Sequence, residues 1–553
     1  MIHHLQHIAD LVKIFELKGI HHVVISPGSR NAPLIGLFYN KANFQLHSIV
    51  DERSAAFYGL GIALATGQAV ALLCTSGTAV LNYAPALAEA YYQRIPLIAI
   101  TADRPENLID QQDNQTIRQA GVYHNYIKDS IHLHLPVHDV YELQNQHYGI
   151  NKIINAALSG IRGPVHINVP IAEPLYVESP VASQNIATSA PVEINEEKVD
   201  ELIAAWKRSE KPMILCGEGS PGPLLNSILQ ALSEKAVVLA EPIANTKGKY
   251  IIHEVDRLML QAEKIEDADF SPDLLISFGG PVVSKRLKIW LQKQKALVHY
   301  RMAEEIDHID TYQNLKGQSI GHPEKVFSAI VNTESNVNQH YLSKWRALHV
   351  QNTEVHNQVL KELPYSDLKV FHAISQQLPA GAILHLGNSS PVRYAQMFDL
   401  SGSSQVFSNR GVSGIDGCLS TAAGFASQTS TLNLAILGDL SFVYDSNALW
   451  NRKLPGNLKI VVINNDGGGI FRLLPGPSRM DAFEEFMETK HPVDLEKLVG
   501  AFGVEYFVCR NESELDTKLK FFFQSKTGPS LLEIKTPGLE NAEVYKRYIE
   551  MIK

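Results

Sequence analysis

Leu434-Ala435-Ile436-Leu437-Gly438-Asp439-Leu440-Ser441 and, one element later, Lys459-Ile460-Val461-Val462-Ile463-Asn464-Asn465-Asp466-Gly467-Gly468-Gly469 are two apolar runs that each end in turn chemistry. Short apolar runs bounded by turn residues and separated by helical segments predict parallel strands buried on both faces. In an open parallel sheet ligands bind beyond the carboxyl ends of the strands, so these two turns face a ligand. A glycine turn at a helix amino terminus offers N–H groups to phosphate, and Asp439 and Asn465 offer the hard oxygen donors that Mg²⁺ prefers. Taken singly, Gly-Asp and Asn-Asn are also ordinary turn and cap residues. Their pairing, about one helix and one strand apart, favours a metal-diphosphate site. The sequence further predicts an amphipathic helix between the two turns.

The same rhythm extends outward in both directions. His22–Ile25, Ala69–Leu73 and Pro96–Ile100 predict strands in a first module over residues 1–180. Met213–Cys216, Ala236–Leu239 and Leu274–Phe278 predict a second α/β module over 198–345, and Ala382–Leu386 opens a third over 362–553. Residues 177–197, rich in Ser, Pro, Ala and Thr, read as a linker, and the polar helical stretch at about 340–362 as a connector. The expected fold class is α/β, with three doubly wound parallel-sheet domains.

Composition narrows the function. The chain has 553 residues, 45% of them hydrophobic, and a formal net charge of -9. A net-acidic chain lacks the basic field that nucleic acid or an anionic membrane would select. Its four cysteines, Cys74, Cys216, Cys418 and Cys509, show no paired spacing, which fits a reducing cytoplasm better than a disulfide framework or zinc site. No run reaches the roughly 18 apolar residues of a membrane span, and the amino terminus lacks a signal peptide's apolar core. A soluble protein is expected.

Cations nevertheless recur in the turns that follow strands. Ser29 and Arg30 lie in Ser26-Pro27-Gly28-Ser29-Arg30, Arg104 follows Thr101-Ala102-Asp103, and Gln115 lies just beyond. Lys285 and Arg286 follow Gly279-Gly280-Pro281, Ser389 and Arg393 follow the strand at 382–386, and Arg410 precedes Gly411-Val412-Ser413-Gly414-Ile415. Guanidinium forks suit carboxylates through paired, charge-assisted hydrogen bonds. Any one of these arginines is equally a solvent-exposed turn residue or half of a structural salt bridge. Five such turns together point to anionic substrates.

The Gly-Asp to Asn-Asn spacing resembles the signature of thiamine diphosphate-dependent enzymes. That resemblance implies a metal site of Asp439, Asn465 and the carbonyl of Gly467, holding Mg²⁺ with Mn²⁺ as an alternative. It also implies cofactor contacts from Gly438, Asp439, Leu440 and Ser441, although Leu440 replaces a glycine common in the signature. Glu52, in Asp51-Glu52-Arg53 before a small-residue helix, resembles the family's activating glutamate; alone it reads as a helix-dipole residue. Ile415 resembles the apolar prop beneath the cofactor, or is simply a packed loop residue. In this family the amino-terminal domain faces a partner's carboxy-terminal domain, which implies a homodimer or homotetramer.

The stretches SPGSRNAPL, DERSAAFYGLG, TADRP, SNRGVSGIDG, GDLSF and NNDGGGIF resemble the 2-succinyl-5-enolpyruvyl-6-hydroxy-3-cyclohexene-1-carboxylate synthases of menaquinone biosynthesis across all three modules. This resemblance implies a transferase that decarboxylates 2-oxoglutarate and adds the resulting succinyl semialdehyde carbanion to isochorismate. It implies that Glu52, Arg393 and Arg410 are catalytic, with Ser389 on the oxoglutarate side. Ser29, Arg30, Arg104, Gln115, Lys285 and Arg286 would hold isochorismate. The alternatives are another thiamine-dependent synthase, such as an acetolactate synthase using pyruvate, and a catalytically silent module. The absence of a dinucleotide fingerprint in the middle module weighs against the first. The presence of Glu52, Asp439 and Asn465 weighs against the second.

Overall fold

A computed structural model describes residues 3–176, 186, 188, 199–294, 296–305, 307, 309–473, 476, 480–525 and 528–553. Nearly all of the linker expected at 177–197 lies outside these residues. The chain divides into two compact units, one of residues 1–194, 409–430 and 444–458, the other of residues 195–408, 431–443 and 459–553.

Among the described residues the strands form three six-stranded sheets. The first holds β1 (His22–Ile25), β2 (Gln45–Ser48), β3 (Val70–Cys74), β4 (Leu97–Asp103), β5 (Ser130–His132) and β6 (Val165–Pro170), in the order β2-β1-β3-β4-β6-β5. The second holds β7 (Pro212–Cys216), β8 (Val237–Ala240), β9 (Ile251–Ile252), β10 (Leu274–Phe278), β11 (Val298–Ala303) and β12 (Leu315–Ile320), in the order β12-β11-β10-β7-β8-β9. The third holds β13 (Ile383–Leu386), β14 (Gln405–Phe407), β15 (Asn433–Gly438), β16 (Leu458–Asn464), β17 (Glu505–Cys509) and β18 (Ser530–Lys535), in the order β14-β13-β15-β16-β18-β17. Parallel pairing runs through all three, for example Val24 opposite Leu72 and Val461 opposite Leu532. The first and third sheets share one strand order; the middle sheet has the order of a dinucleotide-binding domain.

Burial follows from that topology. Parallel strands covered by helices on both faces bury every side chain, so the inner strands read as continuous apolar runs rather than alternating ones. In the middle sheet Ile214 and Cys216 face a core with Leu202, Trp206, Leu229 and Phe327. Met213 and Leu215 face the opposite core with Val255, Leu258, Trp290 and Trp345. The connector expected at 340–362 is the helix Gln339–Glu362. Its first half buries Tyr341, Leu342 and Trp345 in the middle sheet's core, and its end buries Val359 and Leu360 in the core of the third sheet. One amphipathic helix thereby belongs to two cores.

The helix predicted between the two turns departs from expectation. It is a six-residue helix, Asp439–Tyr444, followed by a 3₁₀ turn at Ser446–Leu449. Asp445, the residue after it, accepts from Ser420 through both carboxylate oxygens, from its N–H at 2.7 Å and its hydroxyl at 2.8 Å. All four cysteines are buried and free, and among the described residues no helix is long and apolar enough to cross a membrane.

Candidate functional site

Within the first unit, the turns after β1, β3 and β4 gather the predicted residues. Gly28 passes so close to Thr75 that an added Cβ would lie 2.3 Å from the Thr75 Cβ, which explains glycine at that turn. Gln115, in a left-handed backbone conformation at φ 57°, donates from Nε2 to the Ser76 carbonyl at 2.9 Å. The hydroxyls of Thr75 and Ser76 are buried with no hydrogen-bond partner among the described residues. Arg30 is buried and donates to the Ile171 carbonyl at 2.9 Å, while Arg104 Nε lies 2.6 Å from Asp113. Burial, and then repulsion from Arg104, hold the Arg30 guanidinium below its ordinary value. Arg30 also pairs with Glu173 at 3.3 Å, so each of the two guanidiniums already meets one carboxylate. Ser29 is exposed beside them.

Glu52 is the first residue of the helix Glu52–Thr66, whose cap Asp51 accepts from the Ser54 N–H at 3.0 Å. Half-burial, reinforced by the Asp51 charge, raises the Glu52 carboxyl above its ordinary range. The helix crosses the helix Cys418–Ala426 with backbones touching: a Cβ on Gly61 would lie 2.0 Å from the Thr421 carbonyl oxygen. Ile415 is half-buried in the loop that leads into this second helix. Upstream in that loop Arg410 is fixed from behind by Glu89, whose carboxylate accepts from the N–H groups of Gly411 at 2.6 Å and Val412 at 2.8 Å.

The second unit repeats the device. Glu241, fully buried, accepts from the successive N–H groups of Val283 at 2.5 Å and Ser284 at 2.7 Å, anchoring the turn that delivers Lys285 and Arg286. Burial pushes its carboxyl up to about 7. Arg286 pairs with Glu263 at 3.0 Å and lies 3.9 Å from Asp256. Arg393, on the short helix Ser390–Tyr394, acts on the same Asp256. Arg286 and Arg393 therefore both act on half-buried Asp256, although the family resemblance assigns them to different substrates. Ser389 sits at φ 74° at the start of that short helix. Lys285 is exposed.

At the ends of β15 and β16, Asp439 Oδ2 accepts from the Gly467 N–H at 2.8 Å and lies 3.3 Å from His491 Nε2, while Oδ1 accepts from the Leu440 N–H at 2.8 Å. Asp439 and Ser441 are buried; Gly438 and Leu440 are half-buried. Asp466 at φ 66° and Gly467 at φ 135° turn the chain sharply after Asn465. Asn465 donates from Nδ2 to Asp367 at 2.7 Å, and its buried Oδ1 has no hydrogen-bond partner among the described residues. An unpartnered amide oxygen in the same turn as an Asp439-bound glycine suits a hard cation.

Sequence reasoning missed Glu89, Glu241, Asp367 and His491. Each acts on a predicted residue or its turn from a distant part of the chain and carries no local motif. Another group, Glu106 with His132 and His134, has metal-ligand composition, Glu106 Oε1 lying 2.9 Å from both imidazoles. Asn168 Nδ2 also lies 2.8 Å from His132 Nδ1, so both ring nitrogens of His132 are engaged by protein groups.

Residues 7–122 match the family described as thiamine pyrophosphate enzyme, N-terminal TPP binding domain, residues 223–386 the middle domain, and residues 387–534 the C-terminal TPP binding domain. A 2-succinyl-5-enolpyruvyl-6-hydroxy-3-cyclohexene-1-carboxylate synthase of Desulfotalea psychrophila is 42% identical over 537 residues, covering 96% of this chain and 98% of that protein. Its namesakes in Flavobacterium johnsoniae and Bacteroides fragilis are 39% and 34% identical, covering 98% and 99% of both chains respectively.

Proposed function

Because the chain belongs to the 2-succinyl-5-enolpyruvyl-6-hydroxy-3-cyclohexene-1-carboxylate synthase family of thiamine diphosphate-dependent enzymes, we propose that it releases carbon dioxide from 2-oxoglutarate and joins the remaining four-carbon unit to isochorismate by 1,4-addition. The substrate reading is supported by Arg30 and Arg104, two guanidiniums in the turns after β1 and β4 of a net-acidic chain, each paired with one carboxylate, Glu173 at 3.3 Å and Asp113 at 2.6 Å. A dicarboxylate substrate offers both guanidiniums the same charge-assisted pairing.

The residues present fit the cofactor and its metal. Asp439, the free Oδ1 of Asn465 and the Gly467 carbonyl would hold Mg²⁺, or Mn²⁺ in its place. Gly438, Leu440 and Ser441 would receive the diphosphate, and Ile415 would support the cofactor from below. When bound, thiamine diphosphate supplies a nucleophilic carbon and an electron sink for decarboxylation. Glu52 would hold a proton at a ring nitrogen of the aminopyrimidine, a task helped by a carboxyl that burial has raised.

Arg393 and Arg410, with Ser389, would bind the oxoglutarate carboxylates and orient the donor. Ser29, Arg30, Arg104, Gln115, Lys285 and Arg286 would bind isochorismate. The carboxylates of Glu89 and Glu241 hold the turns bearing Arg410 and Lys285–Arg286 before any substrate arrives. Less reorganisation is then needed on binding. The protein is further proposed to act in the cytoplasm, in menaquinone biosynthesis, as a homodimer or homotetramer.

The deciding experiment is a mass-spectrometric product assay with thiamine diphosphate, Mg²⁺, isochorismate and either 2-oxoglutarate or pyruvate. A cofactor-dependent succinyl adduct from 2-oxoglutarate is expected. An adduct from pyruvate alone would overturn the donor, and no adduct from either would overturn the reaction.

A further inference from the structure

We propose that Asp367 is a positioning residue that sets which end of the Asn465 amide faces the metal. The inference rests on the thiamine diphosphate reading and deepens it. An asparagine amide has two ends of nearly equal shape, and only the oxygen can ligate Mg²⁺. Something must therefore choose between them. Asn465 donates from Nδ2 to Asp367 Oδ2 at 2.7 Å. An ionised carboxylate is acceptor-only, so it holds the NH₂ end and leaves Oδ1 pointing elsewhere. That Oδ1 is the buried atom without a partner.

Asp367 is itself fixed. It is the first residue of the helix Asp367–Gln377 and is 2% exposed. Its other oxygen, Oδ1, accepts from the Thr536 hydroxyl at 2.5 Å and from Asn541 Nδ2 at 2.9 Å, while its own N–H donates to Asn541 Oδ1 at 2.8 Å. Rotation of the carboxylate would break these bonds. Thr536 also donates from its backbone N–H to the Asn464 carbonyl at 2.9 Å, so one residue anchors both the end of β16 and the acid behind it. Backbone closes the remaining side: a Cβ on Gly538 would lie 2.5 Å from the Asn465 carbonyl oxygen. Groups of this kind behind a ligand orient it and tune its metal affinity, commonly by about 10–100-fold.

Asp367→Asn preserves shape while spoiling the choice. The new amide must turn its own NH₂ either toward Asn465 or toward the Thr536–Asn541 pair, and each end already meets a donor. In the double variant Asp367→Asn/Asn465→Asp the donor and acceptor exchange places. The amide at 367 donates to the carboxylate at 465, whose second oxygen faces the metal.

The readout is Mn²⁺ binding in the presence of thiamine diphosphate, followed by the electron paramagnetic resonance signal of free Mn²⁺, with melting temperature as a check on folding. Asp367→Asn is expected to raise the Mn²⁺ Kd by about 10–100-fold, and the double variant to recover most of that loss. A purely structural role predicts no recovery. A single variant within about twofold of the wild-type Kd, or a double variant binding no more tightly than the single, overturns the inference. If the single variant does not fold, the double variant must both fold and bind Mn²⁺; one that does neither overturns it. Wild-type protein that fails to bind Mn²⁺ with thiamine diphosphate would instead remove the cofactor reading itself.

Discussion

Glu52 is a residue whose local sequence and proposed function pull apart. A glutamate in the first turn of a helix is favoured by the helix dipole wherever it occurs. What distinguishes this one is half-burial that raises its carboxyl. Glu52→Gln removes the ionisable group and keeps the size, so folding and metal binding should survive. Exchange of the thiazolium proton of bound thiamine diphosphate, followed by NMR, should slow by about 10²–10⁴-fold, the usual worth of a positioned acid–base group. Unchanged exchange would remove Glu52 from its proposed role. The neighbouring Ser54 shows how tightly this helix start is held, its hydroxyl lying 2.8 Å from that of Ser420.

Among the elements, the crossing of Glu52–Thr66 with Cys418–Ala426 is the most demanding contact. Gly61 and Gly424 each leave 2.0 Å between an added Cβ and a carbonyl oxygen of the facing helix, an approach only glycine permits. Gly61→Ala should gain up to ~1 kcal/mol of helix propensity and lose about 1–3 kcal/mol to overpacking. Denaturant unfolding should therefore report a destabilised protein. Gly36→Ala, in the helix Ala32–Tyr39 with nothing within 4 Å of the new Cβ, is the control and should not destabilise.

Elements of this kind were unevenly legible. The inner strands β1, β3, β4, β7, β8, β10, β13, β15 and β16 could be read because burial on both faces makes them largely apolar runs, whereas the inner strands β6, β11 and β18, interrupted by His, Asn, Arg or Glu, were not read. The outer strand β2, with a Gln-Leu-His-Ser sequence, and the two-residue β9 carry no such signal. The turns bearing Arg30, Arg104, Arg286, Arg393, Arg410, Asp439 and Asn465 were visible because cations and hard oxygens stand out after apolar runs. The carboxylates that hold those turns were not. Glu89 lies more than 300 positions from Gly411, and no local pattern reports a contact made at that separation.

For the whole molecule, buried titratable groups set the response to pH. Burial holds His7, His47, His299 and His385 down to about 4, and His166 and His356 down to about 3. An unfolded histidine titrates near 6.5. These six groups therefore contribute stability that is present above about 6.5 and lost as pH falls toward their folded values. Glu241 and Asp445, raised by burial to about 7, and Asp367, raised to about 6, oppose them. Folded acids of this kind bind protons that the unfolded chain releases, so acidification from pH 7 to 5 favours folding through them. Six groups outweigh three. The melting temperature should fall between pH 7 and pH 5, measured by differential scanning calorimetry; a flat or rising trend would show that these histidines are already charged in the folded protein.

The shared strand order of the first and third sheets separates two kinds of evolutionary freedom. In both, polar residues of the turns proposed to bind ligands follow the first, third and fourth strands in chain order: Arg30, Ser76 and Arg104 in one sheet, Arg393, Asp439 and Asn465 in the other. One layout thus appears twice in a single chain, once furnished mainly with cations and once with carboxylate and amide oxygens. On the proposed assignment, a lineage could redraw its acceptor preference by editing turns in the first copy while the proposed metal ligands of the second stood untouched, so substrate range and cofactor dependence can drift apart without a new fold.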